Sequence, residues 1–153
     1  MEIELSTPEK TLLVENNRDS AVMALEDIIY WCFSVEIRII GSSNLSILLP
    51  KICLFQVIEC LSQAAQEILA NGKTRVWTDD KYNPHTFFIE SKDEIVTIKY
   101  SGQELEIFND DFLVGVKEFV PSSIAQARES FPRLNLNPDF NLATESWLKD
   151  INN

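Results

Sequence analysis

The chain has 153 residues, 45% of them apolar, which is enough for one globular domain with its own core and no need of disulfides or metal. Its 24 acidic and 13 basic side chains give a formal charge of −11, which disfavours nucleic-acid phosphates and anionic lipid as partners and favours a basic protein. The first ten residues contain neither a basic n-region nor an apolar h-region, and no apolar run reaches about 18 residues, so a cytoplasmic protein without membrane contact is expected.

Taken in order, residues 1–6 alternate Ile3 and Leu5 with Glu2 and Glu4, the pattern of an edge strand exposed on one face. Pro8 ends it. A second short strand fits 12–15, a turn fits 16–20 and a short helix fits 21–28. Trp31, Phe33, Val35, Ile37 and Ile39 then alternate with polar or small residues, which predicts a strand with one buried face. A turn at 41–44 returns the chain through Leu45, Ile47 and Leu49, so the two runs form a hairpin.

Residues 49–72 read as the central helix, because Leu54, Ile58, Leu61, Ala65 and Ile68 recur at steps of four and three and line one side. Pro50 is expected in its first turn, and Asn71-Gly72 at its left-handed stop. Strands at 74–78, 86–90, 94–100 and 103–108 follow, joined by polar turns into an antiparallel meander. Residues 112–117 are read as a further strand, since Gly115 weakens a helix interior and Val114 is β-branched. Pro121 suits the first turn of a helix ending near Phe131, residues 133–141 look irregular, and a last helix over 143–151 docks through Trp147, Leu148 and Ile151. The expected fold is α+β: a single domain, 1–153, in which hairpin and meander pack on one long helix and one or two shorter C-terminal ones.

Little of this carries chemistry. The four glycines are too scattered for a phosphate-cradling loop, no G-x-S-x-G elbow occurs, and any nucleophile–imidazole pair would have to use the single histidine, His85. No cofactor is expected. Cys32, Cys53 and Cys60 follow no metal spacing, and Cys53 and Cys60 would lie about 10 Å apart along the predicted helix, too far to bridge, so buried reduced thiols are expected.

The most suggestive stretch is Asp79-Asp80-Lys81-Tyr82-Asn83-Pro84-His85. Asp79, Asp80 and His85 could together hold a divalent cation, although their spacing matches no metal motif. With Trp77 and Tyr82 nearby, the loop suits a contact surface better than an active site. Asp93-Glu94 and Asp110-Asp111 also fall in predicted turns, where Asp is common for local hydrogen-bonding reasons. A meander that gathered such turns at one end would create an anionic patch for steering a basic partner. Glu104 and Glu106 share one face of a strand, about 6.5–7 Å apart, and read as solvated.

The run V-E-I-R-I at 35–39, L-L-P at 48–50, L-F-x-x-I-E-C-L at 54–61, F-F-I-E at 87–90 and E-I-V-T-I at 94–98 resembles the layout of small acidic bacterial immunity-type proteins, over residues 30–131. The resemblance implies neutralisation of a toxin by binding, with no catalytic residues to carry over. The favoured reading is therefore a non-enzymatic protein that binds a basic protein partner through Asp79, Asp80, Tyr82, His85, Asp93 and Glu94. The alternatives are a small metal-dependent enzyme built on Asp79, Asp80 and His85, and a structural protein that forms a homodimer through a strand edge.

Overall fold

The computed structural model describes residues 1–5 and 19–153, and its class is α+β. The short strand expected at 12–15 lies outside the described residues. Strands β1 (Glu2–Leu5), β2 (Ser34–Ile40) and β3 (Ser46–Cys53) form one antiparallel sheet in the order β1-β2-β3. Strands β4 (Arg75–Asp79), β5 (Thr86–Lys92), β6 (Ile95–Tyr100) and β7 (Gln103–Phe108) form a second, the expected meander. The side-chain amide of Gln103 stitches the two together: its Oε1 accepts from Leu48 N at 2.8 Å and its Nε2 donates to Leu48 O at 2.9 Å. One amide thus stands in for a ladder step at the edge of β3.

Between these elements runs α2 (Leu54–Asn71), preceded by a short helix α1 (Leu25–Asp27) that continues as a π turn, Ile28–Cys32. All five residues of its predicted stripe are buried, as are Phe55 and Val57, and the apolar interior of the chain is one contiguous cluster. Gly72 ends α2 at φ 72°, donating its N–H to Ile68 O at 2.7 Å, as the Asn-Gly pair predicts. The start differs. β3 continues to Cys53, so Pro50 sits in a strand and not in a helical first turn. The register steps from Ile37↔Leu49 to Val35↔Ile52, leaving Pro50 and Lys51 opposite Glu36 alone; a bulge is where a strand tolerates a residue without an N–H.

Other boundaries shift for similar reasons. Trp31 and Cys32 belong to the π turn, and the strand begins at Ser34; Trp31 is 46% exposed while Cys32 and Phe33 are both buried, so the alternation fails there. The helix expected at 21–28 begins only at Leu25, because Asp19 holds a turn by accepting from Ala21 N at 3.0 Å and Val22 N at 3.1 Å. β5 runs on to Lys92, so the turn is the two-residue Asp93-Glu94, with φ of 52° and 66°.

The largest correction concerns 112–117, which is helical and lies inside α3 (Asn109–Ser130). Phe112, Val116, Phe119 and Val120 face the core at helical spacing, and Val114 is exposed. Gly115 is there for clearance: a Cβ would sit 2.7 Å from Met1 Cε and 2.9 Å from Met1 O, so only glycine lets the start of β1 lie on the helix. Pro121 consequently falls in the helix interior and not in a first turn, and the neighbouring Ser122 hydroxyl donates to Glu118 O and Phe119 O. Residues 133–141 are also more regular than expected. A 3-10 turn, Pro132–Leu136, leads into α4 (Pro138–Asp150), where Pro138 occupies the first turn and Asn137 caps it by accepting from Phe140 N at 3.0 Å. Helix α4 docks as predicted through Trp147 and Ile151, both buried, with Trp147 stacked on Phe55 of α2.

Candidate functional site

The antiparallel register sends alternate turns of the meander to opposite ends of the four-stranded sheet. The 80–85 loop and the Ser101-Gly102 turn lie at one end. The Asp93-Glu94 turn, the start of α3 and the end of α2 lie at the other, where Asn109 N donates to Glu94 O at 2.9 Å and Asn109 Nδ2 to Gly72 O at 3.4 Å. The six residues expected to share one acidic patch are therefore divided: Asp79, Asp80, Tyr82 and His85 at one end, Asp93 and Glu94 at the other.

The loop end is internally satisfied. Asp80 is only 7% exposed; its Oδ1 accepts from Tyr82 N at 2.8 Å and Asn83 N at 3.3 Å, and its Oδ2 from Asn83 Nδ2 at 3.1 Å and the Tyr100 hydroxyl at 2.5 Å. Those bonds make Asp80 a latch for the loop. Burial and then the bond to Asp80 raise the Tyr100 phenol above its ordinary value. Tyr82 packs downward: its hydroxyl donates to Trp31 O at 3.1 Å, the Lys51 ammonium lies 4.6 Å from its ring centre, and burial is the main cause of its raised pKa. Below it, burial pushes the Cys53 thiol up to about 12. With Lys51 here and Lys81 over the Tyr30 ring, the outside of this loop carries cations as well as carboxylates.

The three groups considered as metal ligands do not converge. Asp79 Oδ1 accepts from Thr86 Oγ1 at 2.9 Å, Asp80 is held within the loop, and His85 Nε2 lies 3.1 Å from Ser101 Oγ with its ring edge-on to Tyr100. Among the described residues, no group of three or more His, Cys, Asp or Glu is placed to hold a metal ion. None of the three cysteines is in a disulfide and all are buried, as expected. Among those residues also, no helix is long and apolar enough to cross a membrane.

The outer face of the meander is open to solvent. Arg75, Trp77 and Asp79 point outward from β4, opposite Glu90, Phe88 and Thr86 of β5; Lys99 and Glu104, then Thr97 and Glu106, continue the rows. Trp77 is 62% exposed and its cross-strand neighbour is the half-buried Phe88. Arg75 pairs with Glu90 at 3.9 Å and Lys99 with Glu104 at 3.5 Å, whereas Glu106 faces Thr97. The sequence reading picked out Asp79 and Trp77 from this face but passed over Phe88, whose outward direction depends on the register of β5. The alternation of Glu104 and Glu106 was the available signal for the rest.

At the far end of the same face, Phe108 is 62% exposed at the rim of a cleft of about 380 Å³ between α2 and α3. Glu94 and Asp110 also line it, and neither was distinguishable in sequence from any other turn acid. Fold and surface together define an α+β protein with two antiparallel sheets, one of which offers an open face of aromatic and charged side chains. Comparison of the chain with known protein families, curated proteins and solved structures finds no match.

Proposed function

We propose that this is a non-enzymatic protein-binding protein, of the toxin-neutralising immunity type, that engages a basic protein through the outer face of its four-stranded sheet. The observation that carries the reading is the exposed Trp77 beside Phe88, with Asp79 next to it on β4 and Glu106, without an ion-pair partner among the described residues, further along the same face, where Glu90 and Glu104 pair with Arg75 and Lys99. A large ring left in water on a rigid strand is the kind of anchor that dominates binding energy, and surrounding carboxylates speed the approach of a cationic partner and select for it. In this reading Asp80, Tyr82 and His85 support the contact from behind, their side chains bonding within and beneath the loop.

The test is capture by the immobilised chain, compared with Trp77→Ala and with an Asp79→Lys, Glu106→Lys double variant. A basic protein should be retained by the wild type, lost by both variants, and released at about 1 M salt, where the Debye length is about 3 Å. Retention of no basic protein, or retention indifferent to both variants, overturns the proposal. A dimer in sedimentation that Trp77→Ala abolishes would reassign the face to self-association.

A further inference from the structure

The cleft between the C-terminus of α2 and the N-terminus of α3 is separate from the Trp77 surface, and its lining is chemically one-sided. Ile68, Leu69 and Leu113 supply apolar walls, the Phe108 ring stands exposed at its edge, and Glu94 and Asp110 are its charged members; no lysine or arginine lines it. Neither carboxylate has an ion-pair partner among the described residues. Two helix ends meet here with opposite polarity: α2 directs its partially negative C-terminus at Gly72 into the space, and the partially positive first turn of α3 is offset by its own Asp110 and Asp111. Asn109 rigidifies the site, for its Oδ1 accepts from Ser91 Oγ at 2.8 Å while its backbone and amide bond Glu94 and Gly72.

We infer that this cleft seats an arginine side chain of the partner, the methylene stem on Leu69 and Leu113, the guanidinium against the Phe108 ring and between Glu94 and Asp110. Each part of the side chain meets a matching surface. An apolar stem buries against aliphatic walls, a planar cation is attracted to an aromatic face, and its forked donors suit carboxylates. A neutral or acidic side chain would leave both carboxylates unpaired, so the cleft selects by charge. The inference rests on the reading of a basic protein partner and adds a second point of contact at the other end of the sheet from Asp79.

The experiment needs no native partner. Protein labelled at leucine and isoleucine methyls is titrated with acetyl-Ala-Ala-Arg-Ala-Ala-amide and with the same peptide carrying citrulline, which keeps the shape and removes the charge. The arginine peptide should produce saturable shifts at Leu69, Leu113 and Ile68 and the citrulline peptide much smaller ones. Glu94→Gln and Asp110→Asn should each weaken the arginine response by about threefold, the value of one partly exposed ion pair. Equal shifts from the two peptides, or shifts spread over the acidic surface without saturation at those methyls, overturn the inference. If Trp77→Ala abolishes partner capture while the peptides show no preference, the sheet face stands and the arginine seat falls.

Discussion

The two ends of the four-stranded sheet carry similar acidic turns and use them differently. At the β4–β5 end, the carboxylate of Asp80 is consumed by Tyr82, Asn83 and Tyr100; at the β5–β6 end, Glu94 and Asp110 border an open cleft and have no ion-pair partner among the described residues. Adjacent acids in a turn are thus no guide to a binding site until the local donors have been counted. A carboxylate that already accepts from backbone N–H groups and a buried phenol has little left to offer a partner, whereas one with free lone pairs in a concave apolar setting can accept a cation.

The sharpest way to break this comparison is to remove the acids one at a time. Asp80→Ala should cost about 2–4 kcal/mol in urea unfolding, because it strands the Tyr100 hydroxyl and the amides of the loop. A loss as small as that of a surface acid would show that the latch does not hold the loop.

Alkaline pH provides the next largest contrast, since Cys53, Tyr82 and Tyr100 under the loop all have raised pKa values, with Cys60 on α2 the other thiol so shifted. Burial moves the Cys53 thiol from 9.0 to about 12, and the Tyr100 phenol is raised as well. The folded chain holds these protons more tightly than the unfolded one, so their contribution is complete below about pH 9 and is lost as pH rises towards 12. The unfolding free energy should fall over that window, by up to about 1.4 kcal/mol per pH unit for Cys53, and Cys53→Ala should flatten the slope. An unaltered slope in the variant would remove Cys53 as a source.

The smallest effect is expected at the other end. Glu94→Ala and Asp110→Ala should each change stability by less than about 1 kcal/mol, the larger at Asp110 because it lies in the first turn of α3. A loss comparable to that of Asp80→Ala would mean that these carboxylates, too, are structural.

Much of the fold could be read before the structure, and the exceptions have physical causes. The alternation in β1, β2 and the meander, the stripe of α2 and the Gly72 stop are all properties of a few neighbouring residues. Pro50 and Gly115 misled because their ordinary meanings are local, while their positions here answer to distant chain: a bulge against β2 for the first, and the backbone of Met1 for the second. The candidate site was legible to a lesser degree. Trp77 and Asp79 were recognisable as aromatic and acidic neighbours, but Asp80 looked equally available, because Tyr100 lies twenty residues further on and reaches it only through strand pairing.

The sequence by itself determined the α+β class, the helix that must be covered, the order of strands in the meander and the net acidity, all of which follow from periodicity, turn chemistry and charge. Tertiary structure decided which of the acids are spent and which are free. Register sends successive turns to opposite ends of a sheet, and the bonds that occupy a carboxylate come from residues brought near only when the sheet closes.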